Sequence, residues 1–150
     1  MRTVLTHVIF IALVMGLGTL SGFANMPGDW YASLQKPFFN PPPWVFGPAW
    51  TFLYILIGVA GARIWLRKPS SSAMQIWFAQ LVLNLAWSPA FFGMQNPLLG
   101  LIVVLLMLAS ILAFIWSANR IDRVSALLFL PYAAWVTFAT ILNFSILILN

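Results

Sequence analysis

The sequence predicts an all-α membrane protein, built as a bundle of five transmembrane helices. Of its 150 residues, 63% are hydrophobic and only 6% are charged, whereas about a quarter of the residues in soluble domains are charged. The charged residues also divide the chain into four long uncharged stretches, which are residues 3–28, 37–62, 69–119 and 124–150. About 20 apolar residues in a helix cross a bilayer, so each stretch can hold at least one span.

The stretch 69–119 must hold two spans, because as one helix it would be about 76 Å long at 1.5 Å per residue. The turn is predicted at Gln95-Asn96-Pro97, since Asn caps helices and Pro suits their first turn. The predicted spans of this single domain are 4–24, 44–66, 73–94, 97–118 and 123–148, with a loop at 25–43. The first span could be a signal peptide, but it is long and has no clear small-residue cleavage site, so we interpret it as retained.

The placement of charge predicts the orientation. With five spans, six of the seven cations lie on the same side of the membrane as the N-terminus, and only Lys36 lies on the opposite side. The six are Arg2, Arg63, Arg67, Lys68, Arg120 and Arg123. The positive-inside rule then predicts a cytoplasmic N-terminus, an external C-terminus and an external 25–43 loop.

Several function classes are disfavoured. No Asp, Glu, Lys or Arg lies at the centre of a span, which argues against ion-driven transport. The chain has no cysteine and a single histidine, His7, so no metal site is expected. It has no paired carboxylates, nucleophile–base pair, phosphate-binding glycine motif or basic run that suggests nucleic acid.

Polar and aromatic residues of three spans predict a cavity beneath the 25–43 loop. Side chains three and four apart share a helix face. Such faces are formed by Trp50 and Tyr54; by Asn84, Trp87, Ser88 and Phe91; and by Tyr132, Trp135, Ala139 and Leu142. Two alternatives remain: the aromatics form an interfacial belt, and polar residues such as Gln80, Asn84, Thr137, Thr140 and Asn143 only join helices.

Prolines modify this region. Pro89 and Pro131 cannot donate to the carbonyls of Leu85 and Leu127, so each should bend its helix and free an acceptor inside the membrane. In the loop, "WYASLQKPFFNPPPW", Asp29 is expected to cap a short helix and Pro41–Pro43 to stiffen the entry to the second span. The loop then either packs down as a lid or lies in the headgroups. Gly18 and Gly22 form a small-residue face that serves either a dimer or packing within one protomer.

The combined motifs resemble the tryptophan-rich sensory protein/translocator protein (TspO/MBR) family. The matching residues are "WYASLQKPFFNPPPWVFGPAWTFLY" at 30–54, "QLVLNLAWSPAFFG" at 80–93 and "LPYAAWVTFATILN" at 130–143. The resemblance implies a five-helix membrane protein, commonly a homodimer, that binds tetrapyrroles such as protoporphyrin IX and related apolar molecules for sensing or transport. It also suggests a bacterial cell membrane as the location.

The family's pocket positions fall on residues of this chain that overlap the predicted cavity. Together with Trp30 of the lid and Phe91, the expected ligand-binding residues are Trp30, Trp44, Phe46, Gly47, Trp50, Tyr54, Asn84, Trp87, Phe91, Tyr132, Trp135, Ala139 and Leu142. Lys36 is the expected partner of a ligand carboxylate. No catalytic residue and no required cofactor are expected; without a pocket histidine, metal-free porphyrin is favoured over haem.

Two departures from animal relatives concern other ligands. No Lys or Arg follows Tyr132, so the proposed sterol motif of animal members is absent. Pro43 stands where animal members often carry His. Two further functions remain open: a light- and oxygen-dependent enzyme that degrades porphyrin, and a structural partner protein in the membrane.

Overall fold

The computed structural model describes all 150 residues and contains helices but no strands. The helices are α1 (Arg2–Ala24), α2 (Asp29–Ser33), α3 (Phe46–Arg67), α4 (Ser72–Ser88), α5 (Pro97–Ala118), α6 (Arg123–Leu128) and α7 (Leu130–Leu149). A 3₁₀ turn, Pro43–Val45, leads into α3, and a π-helical turn, Pro89–Gly93, continues α4. Five helical segments are long and apolar enough to cross a membrane, which confirms the predicted fold class.

The fifth span is not one continuous helix. α6 ends at Leu128 and α7 begins at Leu130, with Phe129 between them at φ −85° and ψ −7°. Pro131 in the first turn of α7 has no N–H to give to the carbonyl of Leu127, which explains the break. Sequence reasoning expected a bend here, and the observed change is an interruption of the helix.

Side chains at helix starts fix the loops. Asn96 Oδ1 accepts a hydrogen bond from the N–H of Leu99 at 3.0 Å, so the predicted cap of α5 is confirmed. Ser71 Oγ accepts from the N–H of Met74 and caps α4 in the same way. Asp29 does not cap α2: Gly28 occupies the cap position, and no side chain bonds to the first turn. The prediction for Asp29 was therefore wrong, because the helix begins one residue earlier than expected.

Below, the lid end is the end of the bundle that carries residues 25–43, and the arginine end is the opposite one. The dense core lies in the half towards the arginine end, where glycines let helices approach closely. A Cβ on Gly58 of α3 would meet the backbone of Ile11, and one on Gly61 would overlap the ring of Trp77. The indole N–H of Trp77 donates to the carbonyl of Ile57 at 2.9 Å, which joins α4 to α3.

An ion pair closes the arginine end. Arg63 of α3 donates to both oxygens of Asp122, from Nε at 2.6 Å and from Nη2 at 3.1 Å, and Arg67 Nη2 lies 3.8 Å from the same carboxylate. Asp122 also accepts from the N–H and hydroxyl of Ser125 and so caps α6. One carboxylate therefore ties the end of α3 to the start of α6.

Candidate ligand-binding site

A cavity of about 1000 Å³ lies in the lid half of the bundle. It is bounded by α1, α3, α4, α5 and α7, and the lid covers it. Most predicted site residues line it: Lys36, Phe46, Gly47, Trp50, Tyr54, Asn84, Trp87, Phe91, Ala139 and Leu142. The polar and aromatic faces recognised in the sequence thus meet in one space inside the protein.

Four predicted residues lie outside the cavity wall. Trp44 is 74% exposed at the lid end, so its indole points away from the cavity. Trp30 packs edge-on against Phe91, with ring centroids 5.8 Å apart, and Tyr132 is fully buried behind Asn84. Trp135 lies behind the wall, with its ring 6.5 Å from that of Trp50. These four residues therefore do not line the cavity, and their contact with a ligand stays a prediction.

A chain of polar side chains lies at the floor of the cavity. Asn84 Nδ2 donates to the hydroxyl of Tyr132 at 2.7 Å, and this hydroxyl donates to Gln80 Oε1 at 2.9 Å. Gln80 Nε2 is buried and has no acceptor. Because Asn84 lines the cavity and uses its amino group inward, its carbonyl oxygen is the atom left to accept a hydrogen bond from a ligand.

A second polar pair ties α4 to α7. The indole N–H of Trp87 donates to Asn143 Oδ1 at 3.1 Å, and Asn143 Nδ2 donates to the carbonyl of Pro97 at 2.9 Å. Asn143 therefore bridges three helix segments, as expected of an amide inside a membrane protein. These bonds hold the Trp87 ring in place, and it stacks on Phe91 at a centroid distance of 5.0 Å and an interplanar angle of 22°.

The Pro89 kink shapes this wall. The carbonyl of Leu85, which Pro89 cannot satisfy, accepts a hydrogen bond from Ser21 Oγ of α1 at 2.8 Å. The chain then continues as a π-helical turn in which the N–H of Met94 donates to the carbonyl of Pro89 at 2.7 Å. The extra residue in this turn brings Phe91 and Phe92 beneath the lid, where Tyr31 packs edge-on against Phe92 at 5.2 Å.

The lid rests on the bundle, as one of the two sequence alternatives expected. Phe39 packs against Phe138 of α7, with ring centroids 6.2 Å apart. Asn150 forms two hydrogen bonds with the backbone of Gln35, accepting from its N–H at 3.0 Å and donating to its carbonyl at 2.9 Å. Next to this clamp, Lys36 Nζ lies 4.5 Å from the centre of the Tyr31 ring, lines the cavity and has no acidic partner.

Sequence reasoning missed the contributions of α1 and α5. Thr19 and Gly22 of α1 line one side of the cavity, and Val104 and Met107 of α5 line another. Gly18 is buried against Tyr54, whose ring a Cβ would overlap, while a Cβ on Gly22 would enter open space. The Gly18–Gly22 pair was a usable signal for the α1 wall, and Gly18 serves packing within the protomer.

Comparison with known proteins agrees with this architecture. A sequence model of the TspO/MBR family matches residues 10–149. The chain is 40% identical to the tryptophan-rich protein TspO of Chlorobaculum tepidum, with 96% of this chain and 98% of the relative covered. It is 42% identical to the TspO protein of Archaeoglobus fulgidus, with 98% of both chains covered. It is 33% identical to the human translocator protein, with 89% of this chain and 84% of the relative covered. With a five-span helical fold and a family match over nearly its whole length, this chain belongs to the TspO/MBR family.

Proposed function

We propose that this protein is a membrane receptor or carrier that binds a metal-free tetrapyrrole of the protoporphyrin type in its aromatic cavity. The observation that carries the proposal is the size and lining of that cavity. Pockets for small molecules span about 300–1000 Å³, so a space of about 1000 Å³ suits a large ligand. Its wall is mainly aromatic and aliphatic, which favours a flat apolar ligand with few polar groups.

Two pairs of aromatic residues in the cavity wall are available for stacking. The ring centroids of Trp50 and Tyr54 of α3 lie 5.6 Å apart, and Trp87 of α4 stacks on Phe91 of the π-helical turn; all four residues line the cavity. A conjugated macrocycle in the cavity would contact rings of both pairs. The carbonyl of Asn84 would orient a donor at its edge.

Lys36 supports a ligand that carries carboxylates. It is the single cation at the lid end, and it lines the cavity without an acidic partner. An ion pair at such a wet rim contributes about 0–1 kcal/mol, so we assign Lys36 a role in orientation and the aromatic walls the main share of affinity.

The names of two relatives, a tryptophan-rich sensory protein and the human translocator protein, agree with sensing or transport as the wider role. We propose that the protein is a homodimer in the cell membrane, as the family resemblance implies. We also propose that its N-terminus is cytoplasmic, which the six-to-one imbalance of cations supports.

The test is a fluorescence titration of the purified protein with protoporphyrin IX and with its dimethyl ester. Trp50→Ala and Trp87→Ala should each weaken binding by about 1–3 kcal/mol, the scale for one stacked aromatic with its buried area. Trp135→Ala should weaken it less, because Trp135 lies behind Trp50. Lys36→Ala should weaken binding of the diacid by no more than about 1 kcal/mol and leave the ester unchanged.

Trp65→Ala is the matched control. Trp65 is 40% exposed and lies on α3 towards the arginine end, outside the cavity wall. If Trp50→Ala and Trp87→Ala bind like the wild type while Lys36→Ala abolishes binding of both ligands, the ligand lies on the lid surface and the cavity proposal is wrong.

A further inference from the structure

We infer that the arginine end carries a second site, which binds the phosphate group of an anionic lipid. A recess of about 530 Å³ opens there between the α3–α4 connection and the end of α5. Two cations and four hydroxyls dominate its lining, which consists of Lys68, Ser70, Ser71, Ser72, Ala73, Ser117, Arg120 and Ile121. This inference concerns surfaces that the proposed tetrapyrrole site does not use.

The positive charge of this recess is not neutralised within the protein. Lys68 and Arg120 take part in no salt bridge. The chain has only two acidic residues, and Asp29 belongs to the lid end. The other, Asp122, already accepts from Arg63 with both oxygens and from Ser125, so it is committed to the α3–α6 tie.

The remaining groups suit a phosphate. Hydroxyls donate to phosphate oxygens, and guanidinium and ammonium groups bind them through charge-assisted hydrogen bonds. Ser72, which is exposed, lies in the same lining, and its N–H in the first turn of α4 has no acceptor in the protein. It adds a donor to a site that the two cations already define.

The surroundings favour a lipid as the source of the phosphate. The Arg120 guanidinium lies 4.1 Å from the centre of the Trp116 ring, and Trp116 is 66% exposed in the last turns of α5. An exposed Trp at a helix end typically marks the membrane interface. Leu112, one turn further into the membrane, is also exposed and gives an acyl chain an apolar path. The recess therefore lies where headgroups lie, and a basic pocket between helices suits an anionic headgroup.

The experiment is native mass spectrometry of the full-length protein in a nonionic detergent, with phosphatidylglycerol, phosphatidic acid and phosphatidylcholine as probes. The wild type should retain one phosphatidylglycerol or phosphatidic acid per protomer in preference to phosphatidylcholine. A juxtamembrane cation contributes about 1 kcal/mol to binding an anionic lipid, or about a fivefold change in affinity. The double variant Lys68→Gln/Arg120→Gln should therefore bind about 25-fold more weakly.

The matched control is Arg2→Gln/Arg123→Gln, which removes the same charge at the same end but outside the recess. It should bind one anionic lipid like the wild type. Ser117→Leu, which narrows the recess and removes a hydroxyl donor without changing charge, should also weaken binding. Far-ultraviolet circular dichroism checks that every variant is folded.

Two results would overturn the inference. If both double variants lose affinity equally and Ser117→Leu loses none, the attraction belongs to the whole charged end and no site exists. If inorganic phosphate displaces phosphatidylglycerol at equal concentration, the recess takes a soluble phosphate and the assignment to a lipid is wrong.

Discussion

The hydrogen bond between Ser21 and the Leu85 carbonyl gives the sharpest test of how the cavity wall is built. Ser21 Oγ donates to this carbonyl at 2.8 Å, and Pro89 is the residue that leaves the carbonyl without its usual helical donor. Ser21→Ala should therefore leave an acceptor unpaired inside the membrane. Hydrogen bonds between membrane helices average about 0.6 kcal/mol and reach about 1.7 kcal/mol. We expect a cost of about 1 kcal/mol in the free energy of unfolding, because Pro89 has removed the usual helical donor to this carbonyl.

The proline permits a double-mutant cycle. Pro89→Ala restores an N–H at the position from which a regular helix would bond the Leu85 carbonyl, so Ser21→Ala should cost less in that background. The coupling energy should be about 0.5–1 kcal/mol, within the range for residues that share a partner. The assay is reversible unfolding in mixed micelles of increasing sodium dodecyl sulfate, followed by circular dichroism.

Ser110→Ala is the control for this cycle. Ser110 Oγ donates to the carbonyl of Met107 at 2.7 Å within α5, where that carbonyl can also accept from the helix backbone. The same chemical change should therefore cost almost nothing. If Ser21→Ala costs no more than Ser110→Ala, or costs the same in the wild type and in the Pro89→Ala background, the Leu85 carbonyl does not depend on Ser21.

Three further outcomes are expected. Gly18→Leu should clearly lower the midpoint of thermal unfolding, because the new side chain would overlap Tyr54. Gly16→Leu, on an exposed face with open space, should leave the midpoint unchanged, and equal midpoints for the two variants would contradict the packing of Gly18 against Tyr54. The Arg63 guanidinium holds the pKa of Asp122 well below its usual range. The ion pair therefore stabilises the fold fully above about pH 4, the pKa of an Asp in the unfolded chain, and this stabilisation is lost as the pH falls from there through the lower pKa of the folded protein. Asp122→Asn should remove this loss of unfolding free energy at low pH, and an unchanged pH profile would exclude Asp122 as its source. Cysteines at Ser33 and Ser70, both exposed, should be labelled from opposite sides of intact cells, Ser33 from outside; labelling from one side would refute the orientation.

The spans were predictable because they depend on single-residue properties. Hydrophobicity and the uncharged stretches placed all five spans. The helix cap at Asn96 follows from the chemistry of Asn, and the free carbonyl of Leu85 follows from the missing N–H of Pro89. The faces of α3 and α4 were also readable from 3–4 spacing. The direction of side chains near the ends of the helices could not be predicted in this way. Trp44 and Trp50 are close in sequence, but only Trp50 points into the cavity. That difference depends on the 3₁₀ turn at Pro43–Val45, which spacing alone does not reveal.

Tyr132 shows a second reason why spacing is insufficient. Its ring shares a helix face with Trp135 and Ala139, but it is fully buried, because its hydroxyl reaches past the cavity wall to Gln80. A tyrosine in an apolar interior must place its hydroxyl near a partner, and that partner lies on another helix. The choice between lining a cavity and supporting its floor is therefore made by a contact between α4 and α7, which no pattern within α7 contains.

Glycines on two helices determine where the cavity begins. α1 and α3 touch at Gly58, where the backbone of Ile11 leaves no room for a Cβ, and again at Gly18, which the ring of Tyr54 covers. Nearer the lid, Gly22 and Gly47 line the cavity and face open space. Gly58 and Gly18 therefore let α1 and α3 approach closely, whereas Gly22 and Gly47 leave space for the cavity nearer the lid. Packing at Gly58 fixes α1 against α3 in the closed half, and the Arg63–Asp122 pair separately ties α3 to α6 at the arginine end, so the cavity in the other half is part of the fold itself. A preformed cavity of this kind reduces the ordering that binding must impose, so we expect the affinity for the proposed flat ligand to depend mainly on the aromatic walls and only secondarily on closure of the lid.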